Sequence, residues 1–270
     1  MNKIEVDHLT MRYKEKNNRF TALEDVTFSV ENGEFVSIIG SSGCGKSTLL
    51  SVLEGINPPS EGIVKIDGKE ITGTGTDRGV VFQHYSLFPW LTARKNVEFG
   101  IKQARQDLSK AERVKIADSF LDKVGLKEFK NKYPAQLSGG MQQRVAIARA
   151  LAMDTEILLM DEPFGAIDAK NRTILQDLLL KLWEGNGTQE KKTVVFVTHD
   201  IDEAILLSDR IVMLSANPGK VYKEIKVPFN RPRNRLELVQ TKEYGSIRNK
   251  LVSLFYSDVA DRIGGSEVVI

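Results

Sequence analysis

A chain of 270 residues can hold one large domain or two unequal ones, since domains average about 150 residues. Its 38 basic and 36 acidic side chains nearly balance, and 41% apolar with 27% charged residues is the composition of an ordinary globular protein. The composition therefore excludes a histone-like polyelectrolyte and an acidic disordered tail.

Membrane-spanning and secreted classes do not fit the sequence either. A bilayer span needs about 18 uninterrupted apolar residues, and even residues 204–216 are broken by polar and charged side chains. Residues 1–5 lack the apolar stretch of a secretory signal, and the single cysteine, Cys44, cannot form an internal disulfide. We expect a reducing, cytosolic compartment, with any membrane role carried by another chain.

The first part of the chain predicts antiparallel β structure. Residues 4–11, 22–30 and 62–66 mix polar and apolar side chains, and Asn-Gly and Asp-Gly turn signals stand at 32–33 and 67–68. This pattern is typical of an antiparallel edge, so we expect this part to be rich in strands.

Three later runs predict central strands. Residues 35–39, 157–160 and 193–197 are short and nearly all apolar, as in strands that are buried on both faces. Helical patterns separate these runs, and this alternation predicts an α/β protein with a largely parallel sheet.

Helices are predicted between and after these strands. Residues 92–152 have the character of a helical insert, in which Ser109 and Glu112 form a capping box. Residues 171–183 carry one apolar face, and a last helix is expected over 235–256.

One dense basic patch, residues 231–235, precedes the predicted last helix. A charge run of this kind is usually a solvated linker, and that is our interpretation of it. A contact with nucleic acid is the weaker alternative.

A glycine-rich phosphate loop directly follows the strand at 35–39 and precedes a helical run at 48–53. The loop residues are Gly40, Ser41, Ser42, Gly43, Cys44, Gly45, Lys46 and Ser47, which match G-x-x-x-x-G-K-[ST]. Glycines let backbone N–H groups curl around phosphate oxygens, and the helix directs its positive end at them. We expect Lys46 to contact the β- and γ-phosphates and Ser47 to ligate Mg²⁺.

Two adjacent carboxylates end the strand at 157–160. A phosphate loop alone is shared by kinases, GTPases and ATP-driven motors, so a second site has to decide between them. Asp161 at the carboxyl edge of the sheet can hold Mg²⁺, which leaves Glu162 free to act as general base on a water. A strand-end salt bridge is the alternative for this pair.

A second anion-binding helix start is predicted at Ser138, Gly139 and Gly140. Ser138 is a natural N-cap, and the two glycines leave the backbone donors of the first turn unobstructed. In isolation such a start is often mere capping. Beside the other two motifs, the economical explanation is a shared nucleotide site.

These motifs together resemble the nucleotide-binding subunit of an ABC transporter, over nearly the whole chain. Residues 40–48 resemble its Walker A motif, 137–141 its signature, 157–162 its Walker B motif with the catalytic glutamate, and 165–168 its D-loop. In the signature Met141 replaces the commonest glutamine. Neither this change nor Ile167 in the D-loop removes a phosphate donor, so we expect ATPase competence.

The resemblance implies a fold. It is a P-loop NTPase (RecA-like) α/β core with an antiparallel β subdomain and an inserted α-helical subdomain. The implied divisions are 1–86 with 153–230 for the core and β subdomain, 87–152 for the helical signature subdomain, and 231–270 for a C-terminal helical extension.

The resemblance also implies site roles, with ATP and Mg²⁺ as cofactors. Gln83 would sense Mg²⁺ and the attacking water, His199 would contact the γ-phosphate, and Tyr13 would stack on adenine. Without the resemblance these three are a strand-end amide, a structural histidine and a surface tyrosine. Thr48 and Asp168 complete the implied nucleotide site.

Partners follow from the resemblance as well. Two copies would face head to tail, so that the signature of one closes over the ATP in the other. Two transmembrane permease subunits would dock on the aromatic stretch 84–91, whose alternative is burial in the helical subdomain. The chain would then be peripheral on the cytoplasmic face of the membrane, indirectly served by a solute-binding protein, with no nucleic acid bound.

The cargo is suggested only by a branch of the family. Residues 88–92, 96–97, Met141, Pro228 and 231–233 resemble importers for nitrate, alkanesulfonates and taurine. Importers for thiamine precursors or riboflavin share much of this pattern, and an exporter ATPase is a further alternative. A soluble DNA-repair ATPase would bring long heptads or cysteine metal sites, which the sequence lacks.

Cys44 is the last candidate. It lies in the phosphate loop beside Lys46 and a helix N-terminus, surroundings that lower the pKa of a thiol. The sequence therefore suggests that alkylation of this thiol inhibits hydrolysis and that ATP protects it. A small filler of the loop is our main interpretation of Cys44, and the effect of alkylation is the weaker hypothesis beside it.

Overall fold

The computed structural model describes residues 1–15, 18–184 and 191–263. The strands of these ranges are β1 (Asn2–Glu15), β2 (Asn18–Glu31), β3 (Phe35–Gly40), β4 (Glu61–Ile66), β5 (Lys69–Glu70), β6 (Arg78–Val81), β7 (Ile157–Asp161), β8 (Thr193–Val197), β9 (Arg210–Leu214) and β10 (Val221–Lys226). The helices are α1 (Lys46–Leu53), α2 (Ala93–Ala104), α3 (Lys110–Lys123), α4 (Gly139–Ala152), α5 (Ala169–Glu184), α6 (Ile201–Leu207), α7 (Arg235–Leu238) and α8 (Lys242–Ile263). Among these helices, none combines the length and the apolar character needed to cross a bilayer.

The larger sheet has the strand order β10-β9-β3-β8-β7-β6. All neighbours in it are parallel except β10, which pairs antiparallel with β9. Every residue of β3 and β8 is buried, which explains why their sequences are apolar on both faces. The prediction that β3, β7 and β8 are central strands is confirmed, and their carboxyl ends meet at one edge of the sheet.

The smaller sheet has the order β2-β1-β4-β5 and is antiparallel throughout. It confirms the antiparallel structure predicted for the first part of the chain. A backbone bridge at Gly219 joins it to the segment between β9 and β10. The Gly219 N–H donates to the Ala22 carbonyl over 3.0 Å, and the Glu24 N–H donates to the Gly219 carbonyl over 2.9 Å.

The core has two layers, one on each side of the larger sheet. Phe35 and Ile39 of β3 pack in the layer formed with α2 to α6 and α8. Val36 and Ile38, which point to the opposite face, pack with α1 and the smaller sheet. Alternate side chains of β3 therefore contribute to both layers of the core.

The helices α2, α3 and α4 form the predicted helical insert and pack on one another. The capping box is confirmed at the start of α3. The Glu112 N–H donates to Ser109 Oγ over 3.3 Å, and the Ser109 N–H donates to Glu112 Oε2 over 2.8 Å.

The last predicted helix, over 235–256, is two helices. A threonine between them starts the second one, because Thr241 Oγ1 accepts a hydrogen bond from the Tyr244 N–H over 3.2 Å. The same hydroxyl donates to the Leu238 carbonyl over 2.7 Å, at the end of α7. One side chain thus caps both ends of the break.

The solvated linker predicted for residues 231–235 is wrong. The Arg233 side chain is only 1% exposed. Its Nη1 donates to the carbonyls of Ile205, Leu206 and Ser208 over 2.8 to 3.0 Å, and these are the carbonyls left open where α6 ends. Burial lowers the pKa of Arg233 to about 10, so the guanidinium stays charged at neutral pH.

Arg231 is also packed rather than solvated. Its guanidinium lies 4.2 Å from the ring centre of Trp183, and its Nε donates to Asp209 Oδ1 over 2.9 Å. Trp183 is buried and donates its indole N–H to the Lys192 carbonyl over 2.7 Å. Residues 231–263, called the C-terminal segment below, are therefore fastened to α5, to the end of α6 and to Asp209 by this arginine run.

We predict that Arg233→Met lowers the free energy of unfolding by about 2–4 kcal/mol, because it leaves buried carbonyls without a donor. Urea denaturation measures this change. Arg248→Met is the matched control. Arg248 also binds α6, through Asp202, but its side chain is 46% exposed, and an exposed ion pair contributes at most about 1 kcal/mol. Equal losses in the two variants would contradict the capping role.

Candidate functional site

The phosphate loop joins β3 to α1, and its backbone depends on glycine. Gly43 and Gly45 have φ angles of +80° and +91°, in the left-handed region. A methyl group on Gly45 would lie 2.6 Å from Leu23 Cδ2 and 3.0 Å from the Ala22 carbonyl oxygen. Only glycine can therefore take this turn while the smaller sheet packs against it.

The start of α1 offers donors to an anion. Its N-cap is Gly45, which has no side chain to occupy the N–H groups of the first turn, and that turn holds no acidic residue. Lys46 is buried, and its Nζ donates to the carbonyls of Gly40 and Ser41 over 2.8 and 3.1 Å. The loop thus holds the positive charge of Lys46 beside a set of backbone N–H donors, an arrangement that fits a phosphate group.

Asp161, at the end of β7, fits a divalent cation. Its Oδ1 is buried and has no hydrogen-bond partner, although a buried carboxylate oxygen normally has one. Burial raises the pKa of Asp161, a hydrogen bond from Ser47 opposes the rise, and the charge of Glu162 adds to it. An orphaned carboxylate oxygen beside a serine hydroxyl is a donor set of the kind that Mg²⁺ takes.

Two other candidate residues, Gln83 and His199, contact Glu162. Gln83 Nε2 is 3.4 Å and His199 Nδ1 is 3.1 Å from the same atom, Glu162 Oε2. The Glu162 backbone has a φ of +42°, and its N–H donates to the Val197 carbonyl of β8 over 3.0 Å. An uncommon backbone angle of this kind persists where the surrounding structure fixes it, and here it turns the carboxylate toward both partners.

Tyr13 and Thr48 lie in flanking elements. Thr48 is half-buried in the first turn of α1. Tyr13 is half-buried on β1, opposite Phe20 of β2. The smaller sheet reaches the phosphate loop at Ala22 and Leu23, whereas the role of Tyr13 toward adenine stays a prediction.

The signature residues lie elsewhere in the chain, at the start of α4. Ser138 is the N-cap, since its Oγ accepts from the Met141 N–H over 3.3 Å. A methyl group on Gly139 would lie 2.5 Å from the Tyr85 hydroxyl oxygen, and one on Gly140 would lie 3.4 Å from the Ala166 carbonyl oxygen. The structure therefore groups the signature with Tyr85 and the 165–168 loop, and the phosphate loop with Asp161 and Glu162.

Asp168 starts α5. It accepts hydrogen bonds from the side chain and the backbone of Asn171, over 2.7 and 3.0 Å. These bonds hold the pKa of Asp168 below its usual value. Within this chain Asp168 thus acts as a helix cap, and its implied place in a nucleotide site stays a prediction.

Two buried polar residues of α4 were missed by the sequence interpretation. Gln143 Nε2 donates to the Phe82 carbonyl over 3.4 Å, and Arg149 Nη1 donates to the Ser86 carbonyl over 2.8 Å. They fasten the segment that follows β6, including Gln83, to the signature helix. Their sequence signal is weak, because both are polar residues within a mostly buried helix.

Glu54 was missed as well. It is a buried carboxyl at the end of α1, and burial raises its pKa to about 7, with the charge of Asp161 adding to the rise. The candidate cation site therefore has, besides Asp161 and Glu162, a further buried acid nearby whose pKa is raised. The only hint in the sequence is a charged residue at the end of an apolar run.

The surroundings of Cys44 agree with its interpretation as a small filler of the phosphate loop, and the effect of alkylation stays a prediction. Cys44 is fully buried, and its Sγ lies 3.7 Å from Lys46 Nζ. A methyl group on Gly40 would lie 2.6 Å from the same sulfur atom. The thiol therefore fills the inside of the phosphate loop, and a reagent cannot reach it without opening the loop.

Comparison with known proteins decides the family. The ABC transporter family profile matches residues 23–165, which include the phosphate loop, the signature and Asp161 with Glu162. The chain belongs to the ABC transporter family, as an ATP-binding subunit. The resemblance and the P-loop NTPase fold inferred from the sequence are thereby confirmed.

Relatives and solved structures agree with this assignment. The chain is 49% identical, over 95% of its length and 92% of the relative, to an uncharacterized ABC transporter ATP-binding protein of Methanocaldococcus jannaschii. It is 48% identical, over 88% of its length and 85% of the relative, to the nitrate import ATP-binding protein NrtD of Synechococcus elongatus. A solved dimeric ATP-binding cassette, in a post-hydrolysis state with ADP and Pi, matches with a TM-score of 0.75 and 40% identity, over 84% of this chain and 100% of that one.

The family fixes the reaction class. This ABC subunit is an ATPase that binds ATP.

Proposed function

We propose that this ABC ATPase powers an importer for a small solute of the nitrate, alkanesulfonate or taurine class. The observation that carries its catalytic part is the meeting of Gln83 and His199 on Glu162 Oε2, directly after the buried Asp161. The similarity to the nitrate import protein and the branch residues at 88–92 support the cargo class.

The nucleotide would bind through its phosphates. Lys46 and the backbone donors from Gly40 to Thr48 face the β- and γ-phosphates, and Tyr13 stacks on the adenine. Mg²⁺, held by Ser47, Asp161 and the amide of Gln83, would neutralise phosphate charge when it is bound.

Hydrolysis would depend on Glu162. Its carboxylate orients a water and accepts its proton as general base. His199 lies 3.1 Å from this carboxylate and contacts the γ-phosphate, while Gln83 reports the state of the site to the segment that follows it. Each of these roles needs the strand ends of β6, β7 and β8 at one edge of the sheet.

The complete site would need a second copy of the chain. Ser138 is exposed and Gly139 and Gly140 are half-exposed, so the start of α4 can receive a phosphate from outside its own chain. Head-to-tail pairing puts this helix start over the partner's ATP and brings Asp168 to the interface. The dimeric state of the solved relative supports this pairing.

The membrane partner would dock on the aromatic cluster of Phe88, Trp90 and Phe99. The ring centre of Phe88 lies 4.6 Å from that of Phe99 and 5.5 Å from that of Trp90. Trp90 is 70% and Phe99 is 40% exposed, so the cluster is available to a partner. We infer two permease subunits, a peripheral location on the cytoplasmic face of the membrane, and a solute-binding protein that delivers the cargo.

Helix α4 would link the nucleotide edge to this aromatic cluster. Gln143 binds the Phe82 carbonyl, just before Gln83, and Arg149 binds the Ser86 carbonyl, just after it. Within the same segment, Tyr85 lies directly against Gly139. A displacement of the glutamine segment must therefore be accommodated by the signature helix. Hydrolysis at the strand ends could reach the surface that carries Trp90 through this contact.

We predict that Glu162→Gln binds ATP but hydrolyses it about 10²–10⁴-fold more slowly, because the general base is lost while the phosphate contacts remain. Steady-state ATPase activity and size-exclusion chromatography with ATP measure the effect, and we expect the variant to accumulate as an ATP-bound dimer. Glu70→Gln, an exposed position on β5, is the control and should match the wild type. A wild-type protein without Mg²⁺-dependent ATPase activity, even with its permease, would contradict the catalytic proposal.

We predict that Trp90→Ala weakens binding to the permease at least about 10-fold and leaves ATP affinity unchanged, since aromatic anchors at interfaces often contribute about 2 kcal/mol or more. Co-purification with the permease and nucleotide titration are the two measurements. Phe129→Ala, another partly exposed aromatic residue in the helical part of the chain, is the control. Undiminished co-purification of the Trp90 variant would remove this docking surface.

The cargo is tested with the reconstituted importer. Of nitrate, an alkanesulfonate, taurine, a thiamine precursor and riboflavin, we expect one of the first three to stimulate ATP hydrolysis through the cognate solute-binding protein. Stimulation by a thiamine precursor or riboflavin would assign the alternative importer branch. Transport without any solute-binding protein would favour an exporter.

A further inference from the structure

A buried carboxylate lies beside the turn that carries His199. Glu203, in the first turn of α6, is 8% exposed. Its Oε2 accepts from the Thr198 hydroxyl over 2.8 Å, and its Oε1 accepts from the Gln176 amide over 2.9 Å. Both carboxylate oxygens are thus engaged inside the protein, which is the condition under which a buried carboxylate is tolerated.

The bond to Thr198 fixes the turn on both sides of His199. The Thr198 hydroxyl donates to Glu203 and also accepts from the Asp200 N–H over 3.0 Å. The His199 side chain is itself 66% exposed, so the backbone of this turn sets where the ring stands relative to Glu162. Glu203 therefore influences the distance between His199 and Glu162 through this turn, without contacting either residue.

The bond to Gln176 extends the network to the C-terminal segment. Gln176 is 1% exposed on α5, and its Oε1 accepts from the Arg235 guanidinium of α7. With its oxygen toward Arg235, the amide must present its NH₂ group to Glu203. Arg235 thus donates to Gln176, and Gln176 and Thr198 both donate to Glu203, so the hydrogen bonds converge on the carboxylate.

Charges of both signs lie around the Glu203 carboxylate. Burial raises the pKa of Glu203, the Thr198 bond opposes this, and Asp200 adds to the rise. Arg172 on α5 approaches the carboxylate to 3.9 Å, too far for a hydrogen bond. The direct hydrogen bonds to the carboxylate thus come from Thr198 and Gln176.

We propose that Glu203 is a positioning residue for His199, and that Gln176 and Arg235 complete its hydrogen-bond shell. The C-terminal segment then helps to set the rate of ATP hydrolysis. This inference rests on the proposed role of His199 at the γ-phosphate.

An exchange of two side chains tests the network. In Glu203→Gln the new NH₂ group meets either the Gln176 NH₂ group, which is a donor, or the Thr198 hydroxyl, which would have to accept where it now donates. In Gln176→Glu two carboxylates face each other in a buried site. In the double exchange, the carboxylate at position 176 pairs with Arg235 and accepts from the new amide at position 203, whose oxygen still accepts from Thr198.

We predict that each single variant lowers kcat for ATP about 10-fold with little change in KM, and that the double exchange recovers the wild-type kcat to within about 2-fold. Gln103→Glu, an exposed amide on α2, is the matched control and should match the wild type. Single variants with the wild-type kcat, or a double exchange no better than the singles, would overturn the proposal.

A second arm separates positioning from general support of the fold. In a His199→Ala background, measured by single-turnover hydrolysis, Glu203→Gln should cause no further loss, because its effect passes through the missing ring. A loss of about 10-fold in both backgrounds would show a purely structural role. If the single variants fail to fold, Thr198→Val is tested in the same two backgrounds, because it removes the hydroxyl with little change in shape.

A readout without ATP keeps this inference apart from the proposed function. The chain has three histidines, so the ring resonance of His199 can be assigned in an NMR spectrum by comparison with His199→Ala. Glu203→Gln should shift this resonance, and the double exchange should return it. A wild type without ATPase activity would overturn the proposed function, whereas an unmoved resonance would overturn the positioning role alone.

Discussion

The whole site depends on the parallel pairing of β3, β7 and β8. Because these strands run in the same direction, their carboxyl ends lie at one edge, and the residues after them have to meet. The phosphate loop follows β3, Glu162 follows β7, and His199 follows β8 after one further residue. The hydrogen bond from the Glu162 N–H to the Val197 carbonyl continues this pairing past the end of β7 and brings the carboxylate to the histidine.

This constraint explains how much the sequence could predict. Apolar runs identify the central strands, and polar residues directly after them identify the site edge, so Lys46, Asp161 and Glu162 could be found without coordinates. Gln83 and His199 follow strands too, but a single amide or imidazole carries little information by itself. Their convergence on one oxygen atom of Glu162 needed the structure.

Other features depend on contacts between distant parts of the chain, and there the sequence failed. The charge of residues 231–235 suggested exposure, yet Arg233 is buried because α6 ends with open carbonyls close to it. No local sequence pattern indicates that these carbonyls need a donor. Cys44 was interpreted as a small filler, but the depth of its burial depends on how the loop folds around it. The role proposed for the signature requires a second copy of the chain, so it depends on contacts outside one polypeptide.

The two tryptophans of the chain differ sharply in surroundings. Trp183 is buried, and the Arg231 guanidinium and the Lys191 ammonium lie 4.2 and 4.6 Å from its ring centre, while Trp90 is exposed. Indole fluorescence shifts to shorter wavelengths in a shielded environment. The protein thus carries two intrinsic optical reporters, one of which monitors the anchoring of the C-terminal segment and the other the aromatic surface, and their emission can be separated without adding a dye.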